Sequence, residues 1–138
     1  MAHHDFPSLL SNNTGSMSAL DFLLSKYREC RDKHVGCRLQ VASTAAYPSR
    51  LIDVGEREDA LIFLRDTQDW SNQEIYICLS HCWGQKQPIM LTKESKSMLQ
   101  DGVPVSALPK TFRDAIFVTR LLGIRLLWID SLYVCYAT

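Results

Sequence analysis

Three runs in the second half of the chain constrain its fold more than any other feature: Ile75-Tyr76-Ile77-Cys78-Leu79, Pro109 to Gly123, and Ile124 to Ile129. The first is β-branched and apolar on both faces, which predicts a strand buried inside a parallel sheet. The second puts Phe112, Ala115, Ile116, Thr119 and Leu122 on one helical face, with Lys110, Arg113 and Arg120 pointing elsewhere. Proline suits its first position and Gly123 its end. The third run is another apolar strand. A shorter helix is predicted between them, capped by Thr92, running through Leu99 and stopped by Asp101-Gly102. A strand, a crossover with a helix and a second strand predict parallel pairing and a right-handed crossover. Ser80-His81-Cys82-Trp83-Gly84 and Asp130-Ser131 then emerge at one carboxyl edge, where open α/β sheets bind ligands. Ser80, His81, Trp83, Gly84, Asp130 and Ser131 are therefore the ligand-binding candidates.

Upstream, residues 1–17 read as a flexible segment, and His3 and His4 carry no site there. Order is expected from Ser18, an N-cap with Asp21 three residues on. Leu20, Leu23, Leu24, Tyr27 and Cys30 follow at helical spacing. Cys30, His34 and Cys37 extend that stripe and admit two readings. Cysteine and histidine are zinc ligands, but the set has three donors and no Cys-x-x-Cys pair. The preferred reading makes Cys30 a small core residue and puts His34 near the helix end, where its charge suits the dipole, with no metal bound. His81 and Cys82 are the other plausible donors. Arg50 to Val54 and Ala60 to Arg65 then read as two strands of a hairpin or meander, and Trp70 as a packing lid.

Composition narrows function by exclusion. At 138 residues the chain suits one domain. Fifteen basic side chains balance fifteen acidic ones, and no aromatic–basic platform stands out, so nucleic acid is not an expected partner. No apolar run reaches the ~20 residues of a membrane span, and no signal-peptide architecture opens the chain. Five cysteines then read as reduced thiols in a cytoplasmic protein. Ser80, His81 and Cys82 are neighbours whose side chains alternate along an extended chain, and no Gly-x-Ser-x-Gly elbow is present, which argues against a hydrolase triad. No glycine-rich phosphate loop appears. A polar small-molecule pocket at the strand ends remains, beside the alternative that Ser80 and Asp130 only bond nearby backbone.

The run Leu79 to Gly84, followed by Leu108-Pro109-Lys110-Thr111-Phe112-Arg113-Asp114-Ala115-Ile116 and by Leu127-Trp128-Ile129-Asp130-Ser131-Leu132, resembles the heterokaryon-incompatibility (HET) domain of filamentous fungi. Cys30-x3-His34-x2-Cys37 and Pro48 to Val54 resemble the segment that often precedes it. The resemblance implies fungal non-self recognition and programmed cell death, with other proteins of that pathway or self proteins as partners. It also implies a partial flavodoxin-like fold similar to Toll/interleukin-1 receptor (TIR) domains, some of which cleave NAD. NAD or a related nucleotide is then the expected ligand class, with Trp83 available for stacking and Asp130 at the neighbouring strand end.

The implied organisation is a flexible segment (1–17), a helix and short-strand region (18–73), the N-terminal part of the HET domain (74–132) and a non-matching tail (133–138). Tyr133 stands where the family has cysteine, so the chain reads as truncated within the domain, genuinely or through intron read-through. No catalytic residue is assigned, and the fragment is expected to be inactive, with an exposed apolar edge on its last strand open to self-association. A non-enzymatic interaction module and a small zinc-stabilised adaptor are the alternatives.

Overall fold

Two units partition the chain, Met1–Ser43 and Thr44–Thr138, in a computed structural model that describes residues 13–39, 47–71, 74–82 and 89–132. In the first unit, helix α1 (Met17–Lys33) starts where Ser16, in extended backbone, accepts the Ala19 N–H on its hydroxyl at 3.3 Å. Asn13 closes the preceding turn, its carbonyl accepting from Ser16 N–H and its side chain from Gly15 N–H. Order therefore begins by Asn13, and the cap is Ser16 rather than the expected Ser18, which already lies inside the helix. Capping needs an extended residue just before the first turn, and the sequence offers two serines in that neighbourhood. Leu20 is buried, Leu24, Tyr27 and Cys30 are half-buried, and Leu23 is exposed, so the apolar stripe is narrower than expected. The helix stops at His34, whose backbone turns extended, and a short helix α2 (Val35–Leu39) follows.

The second unit is built on a five-stranded sheet. Strands β1 (Arg50–Asp53) and β2 (Leu61–Asp66) form the predicted antiparallel hairpin, with Arg50 opposite Asp66 and Asp53 opposite Phe63. Strands β3 (Tyr76–Leu79) and β5 (Leu126–Ile129) pair in parallel, Tyr76 opposite Leu126 and Leu79 opposite Ile129. Between them lie helix α3 (Lys93–Asp101), strand β4 (Val103–Pro104) and helix α4 (Lys110–Leu121). The strand order is β3-β5-β1-β2-β4.

Three expectations change. The sheet is mixed rather than parallel, because β1 runs antiparallel to both β2 and β5, and β4 antiparallel to β2. Only β3 and β5 are joined by a helical crossover, the connection that allows parallel neighbours. Strand β3 stands at the sheet edge, not inside it, with Ile75 and Cys78 exposed. Strand β5, expected to lack a neighbour, lies between β3 and β1 and buries Leu126, Leu127 and Ile129. Apolarity alone does not separate these two strands, because Ile77 and Leu79 still pack against the core from the edge.

The core cluster joins Ile52, Ile62 and Leu127 of the sheet to Leu99 of α3 and to Phe112 and Ile116 of α4. Helix α3 has the predicted cap. Thr92 Oγ1 accepts from Ser95 N–H at 3.1 Å while Ser95 Oγ accepts from Thr92 N–H at 2.8 Å, a reciprocal capping box. Gly102 ends the helix at φ +114°, where a Cβ would stand 2.8 Å from the Phe63 ring. Pro109 caps α4 from just outside rather than occupying its first turn.

A charged clamp fastens hairpin to crossover unit. Asp53, almost fully buried, accepts from Arg125 Nε at 2.7 Å and Nη2 at 3.1 Å, and from Gly55 N–H at 3.0 Å. Arg120, a residue that apolar periodicity only placed off the core face, reaches back from α4 to donate to the Val54 and Asp59 carbonyls. Burial pushes the Asp53 pKa up. The Arg125 hydrogen bonds, the Gly55 amide and the charges of Arg125 and Arg65 outweigh that effect and hold the carboxyl below its ordinary value.

Replacing Asp53 with Asn should therefore destabilise the fold by about 1–3 kcal/mol at neutral pH. The folded-state pKa is the lower one, so the contribution is complete above the unfolded value of ~3.9 and is lost as pH falls through the folded value. Urea denaturation of wild type and Asp53→Asn at pH 7 and pH 3 should show the gap narrowing in acid.

Candidate functional site

The parallel register of β3 and β5 delivers both chains to one edge, since Leu79 and Ile129 stand opposite each other and Ser80 and Asp130 come next. Past β5 the chain enters a 3-10 turn, Asp130–Leu132, in which Asp130 Oδ1 accepts the Ser131 N–H at 2.7 Å. The Ser131 carbonyl accepts Leu91 N–H at 2.8 Å, which ties the segment entering α3 to the same edge. Helix α4 runs back across the sheet and brings Phe112, in its first turn, against His81. The two rings meet edge to face, with centroids 5.4 Å apart and planes at 86°.

His81 is deeply set, its side chain 11% exposed, and its Nδ1 lies 3.9 Å from Asp130 Oδ1. That separation suits charge attraction when the imidazole is protonated, but it is too long for a hydrogen bond. Among the described residues, neither His81 ring nitrogen has a hydrogen-bond partner, and neither does the Ser131 hydroxyl, which is fully buried. Each such group costs about 1–3 kcal/mol when left unsatisfied. A neutral imidazole offers one donor and one acceptor, and a hydroxyl offers both. These atoms are unused hydrogen-bonding capacity among the described residues.

The structure thus gathers His81, Asp130 and Ser131. Ser80 and Cys82 are exposed, and Trp83 and Gly84 lie outside the described residues. Sequence periodicity found Phe112 only as a core residue, and nothing in it signalled that this ring backs the imidazole. The first turn of α4 contributes partial positive charge but no side-chain cap, and Lys110 is paired with Asp114.

Two cavities lie elsewhere on this unit. One, about 390 Å³, opens between β3 and α4 and is lined by Ile77, Cys78, Leu79, Ala115, Val118 and Leu127, among others. The other, about 310 Å³, is bordered by Arg57, Arg120 and Arg125, and the last two already hold Val54 and Asp53. In the N-terminal unit, the donor atoms of Cys30, His34 and Cys37 lie within 4.8 Å of one another. Cys30 is half-buried and Cys37 exposed, so neither is a core residue.

The sequence model of the family described as heterokaryon incompatibility protein (HET) matches residues 76–135. That span contains β3, both crossover helices, β5 and the whole His81–Asp130–Ser131 cluster. No curated protein and no solved structure matches the chain.

Because His81 buries two nitrogens that are unsatisfied among the described residues against an aromatic ring, His81→Phe should leave stability unchanged or raise it by up to about 1 kcal/mol. Phe112→Ala, which removes both the ring contact and core volume, should cost about 3–5 kcal/mol. Thermal denaturation of the two variants checks the contrast. A large loss in His81→Phe would mean the imidazole nitrogens are satisfied in solution.

Proposed function

We propose that this heterokaryon-incompatibility domain protein acts in fungal non-self recognition and the programmed cell death that follows incompatible fusion, and that its sheet-edge cluster binds a nucleotide-class ligand. The observation that carries the reading is the set of three buried polar atoms, on His81 and Ser131, that have no partner among the described residues, inside the matched segment. Such atoms are costly in a finished core and are relieved by a ligand that hydrogen-bonds them. His81, Asp130 and Ser131 would hold the ligand, with Ser80 next along the chain from β3. NAD belongs to this ligand class. The parallel β3–crossover–β5 unit with a ligand at its carboxyl edge is the part of the fold that TIR-like and flavodoxin-like domains would share. Cleavage of NAD is the stronger form of the proposal, and binding without cleavage the weaker. Action in the cytoplasm agrees with the helices, none of which, among the described residues, is long and apolar enough to cross a membrane.

A second reading, an interaction module that pairs with another HET-pathway protein or with itself, draws on the exposed β3 edge and the apolar cavity beside it. An unpaired edge strand is a template for another strand.

Inducible expression in a filamentous fungus should arrest growth, and His81→Ala or Asp130→Ala should relieve the arrest. Calorimetric titration of the purified chain with NAD should show binding that falls at least about tenfold, or ~1.4 kcal/mol, in His81→Ala. Released nicotinamide would establish cleavage, and its absence alongside binding would establish a sensor. Growth unaffected by the wild-type chain, together with no NAD binding, would overturn the proposal. Cys78→Lys, on the β3 edge, should abolish any self-association and leave NAD binding intact.

A further inference from the structure

We propose that Cys30, His34 and Cys37 form a binding site for a zinc-class divalent cation, with two thiolates and one imidazole as protein ligands and water in the fourth position. The two cysteines stand seven positions apart along the chain. In a continuous helix they would stand about 10 Å apart along the axis. The chain instead breaks at His34, whose φ of −94° and ψ of 103° end α1, and α2 folds back. The break is itself hydrogen-bonded. His34 N–H donates to the Cys30 carbonyl at 3.0 Å, and Cys37 N–H donates to the His34 carbonyl at 3.1 Å. It brings the Cys30 and Cys37 sulfurs to 3.2 Å and all three donor atoms within 4.8 Å of one another.

Around a tetrahedral zinc, with bonds of ~2.3 Å to sulfur and ~2.0 Å to nitrogen, ligand atoms stand about 3.5–3.8 Å apart. The sulfurs need to open by about half an ångström and the widest gap to close by about one, movements within reach of side-chain rotation. Two thiolates neutralise a divalent ion, and the soft sulfur with borderline nitrogen selects zinc over magnesium or calcium. The carboxyl end of α1 adds negative potential at the cation. His34 and Cys37 are exposed, which leaves an open path for the ion and room for water in the fourth position. Packing does not explain this cluster, since only Cys30 is even half-buried.

The full chain, purified under reducing conditions and loaded with zinc, should carry one metal per molecule by native mass spectrometry. Cobalt in place of zinc should give the visible d–d bands and thiolate charge-transfer absorption of a four-coordinate sulfur-bound ion, and zinc should bleach them. Cys30→Ser and His34→Ala should each weaken binding at least about tenfold, and Cys30→Ser with Cys37→Ser should abolish it. Circular dichroism on each variant establishes that α1 is still formed. Cys78→Ser and Cys82→Ser should change nothing. The proposal is overturned if reduced protein takes up no metal, if the cobalt bands survive the ligand substitutions, or if a Cys30–Cys37 disulfide persists in reducing buffer in place of the ion.

Discussion

The bidentate pair between Asp53 and Arg125 joins residues 72 positions apart and fixes how two otherwise separable pieces share one sheet. On one side is a local hairpin, β1 and β2; on the other is the crossover unit of β3, α4 and β5. Backbone pairing between β1 and β5 is short, with Ile52 opposite Leu127 and Asp53 opposite Leu126. The carboxylate that closes this junction is nearly buried, and a buried charge is tolerated only with partners that satisfy it. Gly55 N–H and the Arg125 guanidinium supply them, and Arg120 grips the adjoining Val54 carbonyl. A central position for β5 follows, and with it the placement of the polar edge beyond Ile129.

At that edge the balance is reversed. Where Asp53 is over-supplied with donors, His81 and Ser131 have polar atoms out of water and unmatched among the described residues. The imidazole is held by shape, against the face and edge of the core through Phe112, and only loosely by charge, across 3.9 Å to Asp130. Positioning by packing leaves both ring nitrogens free for a ligand. Positioning by hydrogen bonds would have used one of them. This contrast, a saturated clamp at one end of the sheet and an unsaturated cluster at the other, is the physical basis for treating the second as the functional end.

Much of this was legible in the residues. Thr92, Ser95 and Gly102 bound α3 through local chemistry, since a cap and a positive-φ glycine act within a turn of where they stand. The Phe112, Ile116 and Thr119 spacing named the buried face of α4. The parallel register of β3 and β5 followed from the crossover, and so did the shared edge of His81 and Asp130. What failed was neighbour choice. The apolarity of β3 reads the same whether one or both of its edges are paired, and the short run of β1 cannot say which strand will dock on it. The roles of Arg120 and Arg125 were invisible for the same reason, because their partners lie more than 60 residues away.

The N-terminal cluster shows the same division on a smaller scale. Spacing presents Cys30, His34 and Cys37 as successive positions on one stripe, and the structure breaks the helix at His34 and folds the stripe onto itself. By itself, the sequence determined the β1–β2 hairpin, the cap of α3, the buried face of α4, the parallel pair and the family resemblance over the crossover unit, because these depend on contacts close along the chain or joined by a single connection. Only the tertiary structure decided that the sheet is mixed, that β3 is its edge, and that His81 and Ser131 end with polar atoms unmatched among the described residues. Those outcomes depend on which distant surfaces exclude water from one another, and no local pattern encodes that.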